Sequence, residues 1–278
     1  MTFQAPDLGF TVEQLTPEEG WHCSHFFYQF DWQVLATLSE QEIQEGRRDL
    51  IAAVDPARTA APQRIQIGIV SGHKADFSLM MMDPDPLKIQ SIHQQIRAGK
   101  LGPAIKTTWS YVSISEISEY VLSLDDYRKR LESEGEDASS VEKKVTAYEG
   151  RLGKMNYQRL TPNFPDYPVS CFYPMNKWRY PGANWYTQSA SLRKKLMSEH
   201  ARSGMKFAGK VSQLITVGVG LDDWEWGVTL WATNPKHLKQ IVYDMRFDEA
   251  SAKYAEFGPF YTSYKATAEA VLNFCNIG

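Results

Sequence analysis

The sequence predicts an α+β fold built twice from the same split βαβ unit, with a helical linker between the copies. Two observations carry this. "DFSLMMMDPDPLKIQSIHQQIR" (76–97) lies over "EWGVTLWATNPKHLKQIVYDMR" (225–246) at one constant offset, matching Pro86 with Pro235, Ile92 with Ile241 and Arg97 with Arg246. At the same offset "RIQIGIV" (64–70) meets "QLITVGV" (213–219), and "HCSHFFYQF" meets the stretch that begins "CFYPMNKWR". Chance similarity over some 20 residues is common in α+β chains, but here successive elements keep one offset, which argues for duplication.

Each half reads strand, helix, strand, strand, helix, strand. The first places strands near 21–31, 64–71, 75–82 and 107–117, and helices near 38–53 and 85–98. The second places strands near 168–175, 209–219, 223–232 and 257–265, and helices near 189–202 and 235–247. Such units form antiparallel sheets with helices on one face, and two of them can pack their open faces together around a cavity. The expected organisation is a first repeat at 1–120, a charged helical linker at 121–157 and a second repeat at 158–278. In the linker, Gly135 and "DASS" break a solvated helical hairpin, with Ser139 or Ser140 capping its second helix.

Composition narrows the function classes. A chain of 278 residues with 43% hydrophobic and 23% charged residues is that of a soluble globular protein, and a net charge of −3 gives no electrostatic case for nucleic acid or anionic membrane. Apolar runs such as "LMMM" are far too short to span a membrane, and "MTFQAPDLGF" lacks the form of a signal peptide. Cys23, Cys171 and Cys275 are scattered, which suits free thiols in a cytoplasmic setting. The 8 tryptophans exceed what a core needs and favour an aromatic-lined cavity or an interface.

Phosphate-loop, GxSxG, HExxH and paired zinc-ligand motifs are missing from the sequence. Two features remain. On the helix "SLRKKLMSEHARSG", Leu192, Leu196 and His200 share one face, so His200 points inward. It is either a hydrogen-bonded core residue or a lone axial ligand to haem iron, which needs only one imidazole from the protein. The second feature, "CFYPMNKWRYPGANWY" (171–186), crowds aromatics beside Lys177 and Arg179. It is either a rigid turn over the core or the wall of a pocket for a large, flat, anionic ligand. Strand alternation puts Cys171, Tyr173 and Met175 on one face and Phe172 on the other. The two cations then either sit in a solvated turn or meet propionate carboxylates.

Together "CFYPMNKWR", "NWY", "LMSEHARSGMKFAGKVSQ", "GLDDWEWGVTL" and "YDMRFDEASAKYAEFGPFY" make the chain resemble the chlorite dismutase-like family, in its Firmicutes-type coproheme decarboxylase branch. The resemblance is dense over 155–265 and looser before it, through "YVSISEISEY". It implies two ferredoxin-like βαββαβ repeats packed as a dimeric α/β-barrel-like unit, the second carrying the haem site, assembled as a homopentamer. It implies His200 as proximal iron ligand, Tyr173 as the residue oxidised to a radical near a propionate, and Lys177 as the group that orients that propionate. Gln213 falls at the distal position, and Arg159, Arg179, Trp185 and Ser251 complete the expected contacts. Departures from the family pattern are Ala201 after the histidine, Phe207 for a frequent Tyr, Trp178 in place of a second cation, and a longer linker.

The implied reaction converts Fe-coproporphyrin III, at once substrate and redox cofactor, to haem b through hydrogen peroxide-dependent decarboxylation of propionates 2 and 4. The implied setting includes transient contact with coproporphyrin ferrochelatase. Two alternatives stand beside it. A chlorite dismutase would use a distal arginine to hold its anionic oxidant, and Gln213 is neutral. A haem-binding or haem-transfer protein would keep His200 without needing Tyr173 and Lys177 together.

Overall fold

The computed structural model describes residues 9–278. Residues 1–8, most of the opening stretch read for a leader, lie outside them. The first half runs β1 (His22–Phe30), α1 (Trp32–Leu35), α2 (Glu40–Ala53), β2 (Arg64–Val70), β3 (Phe77–Asp83), α3 (Pro86–Ala98) and β4 (Ile105–Ser115). A hairpin of α4 (Leu124–Ser133) and α5 (Ala138–Leu160) follows. The second half runs β5 (Val169–Lys177), α6 (Ala190–Met205), β6 (Val211–Val217), β7 (Trp226–Ala232), α7 (Pro235–Met245), α8 (Glu249–Ala252), β8 (Ala255–Phe257) and β9 (Tyr261–Lys265), and α9 (Ala268–Phe274) closes the chain.

Both halves have the same strand order. In the first it is β4-β1-β3-β2, and in the second β9-β5-β7-β6, with every pairing antiparallel. The last strand of each half pairs with the second strand of the other: Ile114 faces Val217, and Gly68 faces Lys265. The two sheets therefore close into one continuous antiparallel barrel. The matched elements β3–α3 and β7–α7 keep the offset seen in the sequence, while the turn between β6 and β7 is longer than its counterpart between β2 and β3.

The space between the halves is filled, contrary to the cavity expected there. Phe27, Tyr111, Phe172 and Tyr261 pack with Trp109 and Trp224, and Cys23, Met80, Met82, Leu214 and Trp231 fill the other end. His25 stacks on Phe172 at 4.0 Å and bonds Thr229 Oγ1 at 2.8 Å, which leaves an internal void of only about 20 Å³ beside it. Sheet alternation sends the other set of side chains outward, under the helices. In the first half those side chains are buried beneath α2, α3 and α9. In the second half Leu238 and Ile241 of α7 pack in a core with Val169, Cys171, Leu230 and Ala232. The large cavity lies beside that core, outside the barrel, between the sheet and α6.

Two expectations about segments change. The second linker helix is capped by Asp137, whose side chain accepts from the N–H groups of Ser139 and Ser140, because the carboxylate stands one residue ahead of the helical turn. The last helix, expected with the second repeat, packs on the first: Val271, Leu272 and Ile277 join its core, and Arg47 bonds the Ile277 carbonyl and Asn273.

Candidate functional site

The cavity holds about 900 Å³, at the upper end of the range for ligand sites. Its floor is the outer face of β5, β6 and β7, with Tyr173, Met175, Lys177, Gln213, Ile215, Trp226 and Val228. One wall is α6, which presents Lys194, Met197, Ser198, His200 and Ala201, and α7 adds Val242 and Met245. Glu116, Glu119 and Tyr120, which follow β4, form another side. The α4–α5 hairpin supplies Tyr127, Arg130, Tyr148, Met155 and Arg159, so it is a wall of the site and not only a solvated connection.

His200 reaches the cavity as its helical spacing predicts, since α6 buries Leu196 against Trp185, Ala250 and Tyr254. Its side chain is 24% exposed, and its Nδ1 lies 3.0 Å from Asp248 Oδ2. Donation from Nδ1–H leaves the lone pair on Nε2, which has no protein partner among the described residues. Asp248 is itself held firmly: Oδ1 caps α8 through the Ser251 N–H at 3.0 Å, and the Ser251 hydroxyl donates to Oδ2 at 3.3 Å. Burial pushes the Asp248 carboxyl up, but the hydrogen bond and electrostatic attraction of His200, with the Ser251 bonds, outweigh it and hold the group below the usual carboxylate range. A buried anion behind an imidazole orients the ring and fixes its tautomer.

Tyr173 is 7% exposed and stacks on Phe260 at 4.5 Å. Its hydroxyl has no hydrogen-bond partner among the described residues, and burial raises its pKa, so it stays a neutral phenol. Lys177, two residues beyond Met175 on the same strand face, is buried with Nζ 4.3 Å from the centre of the Trp185 ring and 3.5 Å from the Ala250 carbonyl. Burial brings its pKa down to about 8, against the opposing pull of Asp248 and Glu225. Arg159 is half-buried, with no carboxylate partner among the described residues, and burial lowers its pKa. Such under-compensated cations suit an anionic ligand.

Seven of the expected residues thus meet in one cavity: Arg159, Tyr173, Lys177, Trp185, His200, Gln213 and Ser251. Arg179 does not. Beyond the end of β5 the chain turns outward, and Arg179 is 61% exposed, paired with Glu225 at 3.0 Å outside the cavity lining. Sequence reasoning missed Asp248, Arg130 and Glu225. Each comes from a distant segment, and the only signal for Asp248 was its place at a helix start, "DEAS".

Residues 42–266 match the sequence profile of the family described as Chlorite dismutase. The chain belongs to the chlorite dismutase family. Two relatives named coproheme decarboxylase are each 35% identical to it: one from Staphylococcus carnosus, covering 93% of this chain and 97% of that protein, and one from Oceanobacillus iheyensis, covering 96% and 100%. A solved heme-binding protein from Thermus thermophilus superposes with a TM-score of 0.76 at 31% identity, over 93% of this chain and 96% of that one. Its fold agrees with the α+β reading. Among the described residues, no helix is long and apolar enough to cross a membrane, and no group of His, Cys, Asp or Glu side chains could hold a metal ion unaided.

Proposed function

We propose that this chain of the chlorite dismutase family is a coproheme decarboxylase, an oxidoreductase that converts Fe-coproporphyrin III to haem b with hydrogen peroxide. The observation that carries the reading is one cavity holding an unpartnered His200 Nε2, the Tyr173 phenol and the Lys177 ammonium. The residues fit an iron porphyrin: a single imidazole suffices because the macrocycle supplies the equatorial nitrogens, and the cations match its carboxylates. When bound, the iron porphyrin supplies the chemistry by which peroxide withdraws electrons.

The geometry supports the following part for the protein's own residues. His200 holds the iron through Nε2, with Asp248 fixing the ring. Lys177 and Arg159 each bind a propionate, and Trp185 and Ser251 shape the pocket around them. Tyr173 gives up its phenolic proton and one electron to become a neutral phenoxyl radical, then takes a hydrogen atom from the β-carbon of the propionate that Lys177 holds. Loss of carbon dioxide and one more electron leaves a vinyl group. Gln213, on the β6 part of the floor, offers neutral hydrogen bonds to peroxide. The missing distal cation disfavours chlorite, whose charge a neutral amide compensates only in part.

The relatives named coproheme decarboxylase support this reading over nearly the full chain. The homopentamer, the cytoplasmic setting and the contact with ferrochelatase belong to the same proposal, and the three free cysteines accord with a reducing compartment. The division into repeats at 1–120 and 158–278 about a linker at 121–157 is part of the same proposal, with α9 crossing back to the first. The test is to mix apoprotein with coproheme, titrate peroxide and follow the porphyrin by mass spectrometry. Tyr173→Phe should bind coproheme almost as wild type does and yield no vinyl product. Haem b formation by this variant at the wild-type rate would remove the radical role, and sustained oxygen release from chlorite by the wild type without decarboxylation would overturn the whole reading.

A further inference from the structure

Glu225 lies in the turn between β6 and β7, outside the cavity lining, yet it is only 8% exposed and both its oxygens are occupied. Oε2 accepts the Lys177 backbone N–H at 2.8 Å. Oε1 accepts the Tyr186 hydroxyl at 2.7 Å and lies 3.0 Å from Arg179 Nη2. The Glu225 N–H donates in turn to Asn176 Oδ1 at 2.9 Å. One buried carboxylate thus ties the end of β5 to the turn that carries Trp185, the ring against which the Lys177 ammonium rests.

That ammonium has little else to hold it. Its acceptor among the described residues is the Ala250 carbonyl at 3.5 Å, and its other neighbour is the face of an indole. The charges that favour its protonated form are Asp248, behind His200, and Glu225. Tyr173 on its own strand, His200 on α6 and Arg159 on α5 share the cavity with it, and none of these brings a negative charge near neutral pH.

We propose that Glu225 is a positioning residue: it sets the Lys177 side chain against Trp185 and, together with Asp248, keeps the ammonium charged to receive a substrate carboxylate. The role of Lys177 rests on the function proposed above, whereas the link from Glu225 to Lys177 is testable in the ligand-free protein. Arg179 then gains a part different from the one its sequence position suggested. It neutralises the outer oxygen of Glu225 from the surface.

The experiment is competitive acetylation of Lys177 in the full-length, ligand-free chain, read by peptide mass spectrometry from neutral to alkaline pH. The wild-type amine should titrate near 8. Glu225→Gln, which keeps the shape and one of the two acceptor oxygens but loses the charge, should lower that midpoint by about one unit. Glu225→Asp should restore part of the shift. A purely structural role would change labelling equally at every pH, and an unmoved midpoint in Glu225→Gln overturns the proposal. If that variant does not fold, Arg179→Ala at an exposed residue reads the same link: freeing Glu225 from its cation should raise the midpoint, and a wild-type value overturns the proposal. Fluorescence titration with iron-free coproporphyrin III separates the two readings. Failure of the wild type to bind it counts against the proposed function, while the acetylation midpoint still decides the role of Glu225.

Discussion

His200 shows how little separates a core histidine from a ligand. Its Nδ1 is bonded to Asp248 as a buried histidine's would be, and its Nε2 faces a cavity with no partner among the described residues. His200→Ala should leave the fold intact, because the side chain is 24% exposed, and should change the ferric absorption spectrum of bound coproheme. An unchanged spectrum would return His200 to a structural role. The inward direction of this side chain was legible from its helical spacing with Leu192 and Leu196, whereas Asp248 was not, because no local rule pairs residues so far apart in the chain. Lys177 gives a prediction about pH. Its folded pKa is lowered from 10.5 to about 8, so between those values the unfolded chain binds more protons and stability rises with pH. Across that window the urea midpoint of the ligand-free wild type should climb relative to Lys177→Met. A constant difference between the two proteins would show that Lys177 titrates normally.

At the scale of elements, the α4–α5 hairpin departs most from its sequence reading. Its charge pattern announces a solvated pair of helices, and its outer face is one, with ion pairs such as Arg128–Glu142 and Lys144–Glu136. Its inner face is held by Leu131, Val141 and Val145 and by the Tyr127–Tyr148 ring pair at 4.3 Å. Leu131→Ala removes the centre of that small core and should cost about 2–5 kcal/mol, felt locally because few other buried side chains share it. Hydrogen exchange should quicken across 124–160 while the barrel strands stay protected, and porphyrin should dissociate faster. Uniform exchange throughout the chain would mean that the hairpin is not a separate cover for the cavity. On the opposite wall, α6 starts at a Ser189 cap that accepts the Leu192 N–H at 3.3 Å. Such a cap depends on neighbouring residues alone, yet the one cap read from the sequence, at Ser139 or Ser140, falls instead on Asp137.

At the scale of the molecule, one unit used twice serves two purposes. In the first half Phe26, Tyr28, Phe77 and Ile92 fill the layer between sheet and helices, and α9 returns from the far end of the chain to seal it with Val271 and Leu272. In the second half α7 fills part of the corresponding layer with Leu238 and Ile241, and the rest is left open as the cavity. Leu272→Ala, at a fully buried position, should cost about 2–5 kcal/mol. Because strands of the two halves hydrogen-bond into one ring, calorimetry should show a single transition moved to lower temperature. A separate low-temperature transition would show that the first half melts by itself. The closed barrel also constrains Gly227, where a β-carbon would come within 2.4 Å of the Tyr111 ring.

Local pattern by itself determined the main strands and helices of each half, the duplication and the face on which Tyr173 and His200 stand, but not the short α1, α8 and β8 or the closing α9. Strand alternation, helical spacing and a repeated proline turn all act over a few residues, so one chain displays them directly. Only the tertiary structure decided where the cavity lies, since that depends on how far helices stand from a sheet and which inner surfaces fill the barrel. It also decided which cations enter the cavity: Lys177 turns in on the last residue of β5, Arg179 turns out just beyond it to Glu225, and Arg159 arrives from the linker helix. Spacing along a strand predicts a side chain's direction only while the strand lasts, and past its end direction is set by partners brought from elsewhere in the chain.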